Sequence, residues 1–146
     1  SIRSGTLPVP LCIGFGEAAR IADKTMEGEY EKTKLLRDFF FKKIKEVFPD
    51  VILNGSYSKR LPANLNISLK GVDSEMLISK LTNTVISSGS ACSSREIEPS
   101  SVLKGMGLKD NIISSALRIG FGRFTTKKET ISALKEIIKV AKTIKI

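Results

Sequence analysis

Residues 87–94 read SSGSACSS, a run of small hydroxyl, glycine and alanine residues that holds one thiol, Cys92. A cysteine used for packing is set among apolar neighbours, so this setting predicts a wet, exposed loop. An accessible thiolate is a nucleophile, and a loose loop lets its sulfur visit two places. No base stands beside Cys92 in the sequence, and the chain contains no histidine. Ser-His-Asp and Cys-His catalysis are thereby excluded, as are the usual zinc sites. If Cys92 reacts, its substrate must arrive already activated or its partner must lie elsewhere. Composition alone leaves an incidental exposed cysteine as open as a functional one.

Arg118 is the second candidate. It stands in the stretch LRIGFG at 117–122, among small and apolar residues, where a planar guanidinium can hold a carboxylate through two parallel hydrogen bonds. An arginine facing solvent or a nearby acid is the plainer reading of the same residue. Arg123, just beyond, is a weaker candidate of the same kind. Ser4-Gly5-Thr6, after Arg3, can wrap an anion with backbone amides and a hydroxyl. Gly14-Phe-Gly16-Glu-Ala-Ala19 matches a dinucleotide-binding turn, G-x-G-x-x-A. The preceding PVPLCI carries two prolines and makes no clear buried strand, and Glu17 would face the phosphate. The glycines therefore read as a helix start, and Cys12 as a small buried hydrophobe. Cys12 and Cys92 stand in no metal-ligand spacing, so both are expected to be free thiols and no metal site is expected.

These residues need a scaffold, and 146 residues with 41% hydrophobic and 27% charged content make one domain's worth of soluble chain. No segment approaches 18 uncharged apolar residues, so no membrane span is expected. The net charge of +9 is mostly lysine spread along expected helices. With little interleaved aromatic content it reads as a solvated face rather than a nucleic-acid surface. The chain opens on Ser-Ile-Arg without a methionine or a signal pattern, as a piece of something longer would.

Apolar residues recur at helical spacing through residues 16–47, at Ala18, Ala22, Met26, Leu36, Phe40, Ile44 and Val47. This predicts one helix of about 45 Å, long enough to brace two parts of a larger protein. Pro8 and Pro10 predict an extended lead into it, and Pro49-Asp50 its end. Val51-Ile-Leu and the alternation Leu65, Ile67, Leu69 predict two strands. Asp73 predicts a cap for a helix from 74 to about 81, with Met76, Leu77 and Leu81 inward. Val85-Ile86 predicts a very short strand, so that the thiol loop follows a strand end. Pro99-Ser100 opens a short helix ending at Gly105 or Gly107. A strand follows over 117–122, and Thr126 with Glu129 predicts a capping box for a last helix through Ile131, Leu134, Ile138 and Ala141. The class expected is an α/β two-layer domain with a small, mainly antiparallel sheet.

Arg3-Ser-Gly-Thr6-Leu-Pro, Leu61-Pro with Asn66-Ile-Ser68, Ser87-Ser-Gly-Ser-Ala-Cys92-Ser, Glu98-Pro-Ser100 with Val102-Leu103, and Arg118 with Gly122-Arg-Phe-Thr-Thr126 occur in this order. Together they resemble the NifS/IscS-type cysteine desulfurases, of the class V aminotransferases, along nearly the whole chain. The resemblance implies the C-terminal small domain of a fold-type I pyridoxal phosphate enzyme. Residues 1–49 would form an extended segment and long connecting helix at the edge of a large domain, and residues 50–146 the small domain with a cysteine loop at 87–95. It implies conversion of L-cysteine to L-alanine and a persulfide on Cys92, a sulfurtransferase reaction with pyridoxal phosphate as the electron sink. Arg118 matches the arginine that holds the substrate carboxylate. Thr6 matches the threonine that reaches the cofactor phosphate of the other subunit in a homodimer. The sulfur would pass to an iron–sulfur scaffold protein, with a transient iron–sulfur contact through Cys92, or to another acceptor such as a tRNA-thiolation enzyme. The expected home is the cytoplasm, or alternatively the mitochondrial matrix.

The family's Schiff-base lysine, ring-stacking histidine and pyridinium aspartate belong to the large domain and have no counterpart here. This chain alone is therefore expected to be inactive, with the cofactor held mainly by the large domain. The alternative is a stand-alone sulfur-carrier or regulatory module that keeps the thiol loop.

Overall fold

Leu36, Phe40 and Ile44 recur at the spacing of one helical face, and their burial organises the molecule. In the computed structural model, which describes residues 5–88 and 100–145, they lie on helix α1, Val9–Val47. Its 39 residues span about 58 Å at 1.5 Å per residue. The helix starts earlier than the sequence predicts. Pro8 is its N-cap and Pro10 falls in its first turn, where a missing N–H removes no hydrogen bond. Gly14 and Gly16 are therefore helical, which removes the dinucleotide turn. Cys12 is exposed, against the expectation of burial.

Three strands follow, β1 (Ile52–Leu53), β2 (Asn64–Ser68) and β3 (Ala116–Gly120), in one antiparallel sheet of order β1-β2-β3. Leu65 pairs with Ile119 and Ile67 with Leu117. These four side chains face one way and pack with Phe40, Ile44, Leu134, Ile137 and Ala141 in the main core. The intervening pairs, Asn66 with Arg118 and Ser68 with Ala116, point to the opposite face. There Ala116 meets Leu103 and Ile113 in a second, smaller core.

Four more helices complete the fold of the described residues. Helix α2, Ser74–Lys80, is capped by Asp73, which accepts from the Met76 amide at 2.8 Å. Leu77 is buried as expected, but Met76 is half exposed. Helix α3, Ser101–Gly105, is capped by Ser100. Helix α4, Asp110–Ile113, is too short to leave a periodic signal and was not foreseen. Helix α5, Lys127–Ile144, carries the expected capping box between Thr126 and Glu129. No strand forms at 85–86; Val85 is 99% exposed, and one bridge at Ser87 replaces the strand.

Candidate functional site

Arg118 is exposed on β3, on the face turned away from the main core. Its backbone is bonded to the chain that leads into the thiol loop. The Arg118 N–H donates to the Ser87 carbonyl at 2.6 Å, and the Ser87 N–H donates back to the Arg118 carbonyl at 3.2 Å. Its side chain makes no ion pair among the described residues, so the guanidinium is available to an anion.

That guanidinium lines a cleft of about 320 Å³, together with Asn54, Lys59, Arg60, Asn66 and Ser100. No Asp or Glu lines it, while three cations do, so the cleft favours a negatively charged guest. Arg60 is fixed by donating to the carbonyls of Ser56 (Nε, 2.6 Å) and Asn54 (Nη2, 2.7 Å). Burial, and then the neighbouring Arg37 charge, lower its pKa. Asn54 is buried and donates to Asn66 Oδ1 at 2.7 Å and to Ser68 Oγ at 2.9 Å. This amide chain ties the turn after β1 to the strand beside Arg118.

Cys92 falls in residues 89–99, outside the described residues. On the two sides of that stretch, Ser87 is bridged to the Arg118 backbone, and Ser100 lines the cleft and caps α3. Thr6 lies elsewhere. It is exposed, just ahead of α1, and does not line the cleft. No acidic residue occupies the first turn of α1, the helix that Thr6 precedes.

Arg123 is not part of the site. Its Nε pairs with Glu29 at 2.8 Å, and Lys32 donates to its carbonyl at 2.7 Å, so it fastens the turn after β3 to the middle of α1. Sequence reasoning missed Ser87, Asn54, Asn66 and Arg60 as neighbours of Arg118. The Asn54-Gly55 turn was visible, but the contact of Asn66 with Arg118 depends on strand register, which local pattern does not encode. Among the described residues no group of three or more His, Cys, Asp and Glu side chains could hold a metal, and no helix is long and apolar enough to cross a membrane.

A profile of the family described as Aminotransferase class-V matches residues 1–134. The chain is 44% identical over 141 residues to "Cysteine desulfurase IscS" of Ehrlichia chaffeensis, covering 97% of this chain and 34% of that protein. It is likewise 44% identical to the protein of that name in Vibrio vulnificus, covering 96% of this chain and 35% of that one. Among solved structures it resembles a NifS-like protein from Rickettsia africae, with a TM-score of 0.81 and 27% identity over 96% of this chain and 36% of that chain. The chain spans about a third of the length of the curated relatives it matches.

Proposed function

The chain belongs to the class-V aminotransferase family, and on that premise we propose that it is the thiol-bearing part of a cysteine desulfurase. The observation that carries this reading is that the chain ahead of the 89–99 stretch is bonded at Ser87 to the Arg118 backbone, while the chain after it, at Ser100, lines the cleft that also holds Arg118. Cys92 lies five residues beyond Ser87, and a fully extended chain of that length spans at most about 18 Å. The sulfur therefore works within a short radius of Arg118.

In this reading Arg118 grips the carboxylate of L-cysteine through its planar fork and orients the side-chain sulfur toward the loop. The Cys92 thiolate attacks that sulfur: a sulfur–sulfur bond forms and the substrate carbon–sulfur bond breaks. The released electron pair stays with the substrate, whose carbon takes up a proton to become alanine, and Cys92 is left as a persulfide. Pyridoxal phosphate, which the family implies, supplies when bound the electron sink that makes the carbon–sulfur bond breakable. The resemblance assigns the Thr6 hydroxyl to its phosphate, in a homodimer that of the partner subunit. The remaining cofactor contacts, including the Schiff-base lysine, are assigned to the longer protein, and the 146-residue chain alone is read as inactive. The persulfide then passes to an iron–sulfur scaffold or another sulfur acceptor, with the cytoplasm as the compartment this reading assigns.

The test is Cys92→Ser in the full-length protein, with cofactor absorbance and alanine formation measured separately. Retained absorbance with alanine formation reduced at least about a hundredfold supports the nucleophile. Unchanged turnover overturns it.

A further inference from the structure

Between α2 and the Ser87 bridge the chain forms no helix or strand, yet one side chain gathers it. Glu136, on α5, turns both carboxylate oxygens toward residues 82–84. Its Oε1 accepts from the Thr82 amide at 2.8 Å, the Thr82 hydroxyl at 3.0 Å and the Asn83 amide at 3.0 Å. Its Oε2 accepts from the Thr84 hydroxyl at 2.5 Å. The platform beneath it is rigid, because Leu134, Ile137 and Ala141 fix α5 in the core. No lysine or arginine pairs with this carboxylate among the described residues, so the chain at 82–84 is its whole set of partners there.

The segment has little else to hold it. Thr82 and Asn83 are exposed and Val85 is 99% exposed, so apolar burial is confined to a partly buried Ile86. Three residues beyond Thr84 comes Ser87, whose backbone is bonded to that of Arg118 shortly before the stretch that carries Cys92. The Thr84 hydroxyl first, then the amides of Thr82 and Asn83, hold the Glu136 carboxyl down to about 2, so the clamp is charged at any working pH.

We infer that Glu136 is a positioning residue for the thiol loop: by pinning residues 82–84 it keeps Ser87 in register with Arg118 and so sets how the chain enters the stretch that carries Cys92. This rests on the proposed role of Cys92. Glu136 touches neither substrate nor cofactor in this scheme. It limits where the sulfur can be, and a reacting atom misplaced by an ångström is costly in rate.

The test combines amide hydrogen exchange of residues 82–88 in this chain with single-turnover persulfide formation in the cofactor-loaded full-length protein. In Glu136→Ala, exchange at Thr82 and Asn83 should quicken about tenfold or more. Persulfide formation on Cys92 should slow about tenfold, with cofactor absorbance and the cysteine concentration giving half-maximal rate unchanged. Glu136→Gln, which keeps one carbonyl acceptor, should fall between. Thr84→Val should shift both readouts in the same direction, and its effect should be less than additive with that of Glu136→Ala. These two milder variants carry the test if the alanine variant does not fold. Faster exchange with an unchanged persulfide rate marks a purely structural clamp and overturns the inference, as does unchanged exchange. Cys92→Ser, run alongside, separates the two claims: an inactive serine variant with Glu136→Ala at the normal rate overturns the positioning role alone, and an active serine variant overturns both.

Discussion

Between Val9 and Phe15, helix α1 carries Val9, Leu11, Ile13 and Phe15 in the open, with Phe15 79% exposed; between Leu36 and Ile44 the same helix buries Leu36, Phe40 and Ile44, with Phe40 1% exposed. The second half is an amphipathic helix on a sheet, with the Phe40 ring edge-on to Phe121 at 6.0 Å. The first half has the apolar surface without such a partner among the described residues. Tertiary burial, more than propensity, stabilises helices in water, so two halves of one helix can differ widely in what holds them. A contiguous apolar stretch of this kind marks a surface meant to be covered. We read its cover as the remainder of the longer protein, with residues 1–49 at the edge of that remainder and residues 50–146 as the domain that carries the loop.

The largest expected effect tests the buried half. Phe40→Ala should destabilise the chain by about 3–5 kcal/mol in urea unfolding, as the loss of a fully buried ring does. Next comes the support under that half. Thr126→Ala removes the cap of α5, which packs against α1, and should cost about 1 kcal/mol by the same measurement. At the junction of the halves, Arg123→Ala breaks the pair with Glu29, whose partners are 39% and 30% exposed. Its cost should stay below about 1 kcal/mol and shrink further in high salt. Smallest is Phe15→Ala, expected within about 0.5 kcal/mol for this chain alone. A cost near that of Phe40→Ala would show the exposed half to be packed in solution and would break the comparison.

A titration sharpens the account of α5. The Glu136 carboxyl lies at about 2 in the folded chain, below its ordinary 4.5. Between those values the unfolded chain binds the extra proton, so stability from this group is present above 4.5 and drains away as pH falls toward 2. The melting-temperature difference between the chain and its Glu136→Gln variant should therefore be steady near neutrality and disappear in strong acid.

Much of the scaffold was legible because its signals are local. Asp73 ahead of α2, Thr126 with Glu129 ahead of α5, and the alternation through Leu65 and Ile67 each satisfy a nearby backbone or a period. The first turns of α1 were hidden because proline reads as a breaker unless it falls where the helix needs no amide. Val85-Ile86 has strand composition but only one bridged neighbour, so the apolar pair makes no strand. Arg118 could be named from its surroundings in sequence. Its company of Asn66, Ser87 and Arg60 could not, because register and chain crossing bring those residues together.

The most direct test of the central claim follows the sulfur. The full-length, cofactor-loaded protein is mixed with one equivalent of L-cysteine, quenched in acid with a thiol-blocking reagent, and its peptides are weighed. The account predicts that the peptide bearing Cys92 gains the mass of one sulfur atom, lost again on reduction, as alanine appears in equal amount. Alanine formed without added sulfur on that peptide would contradict it.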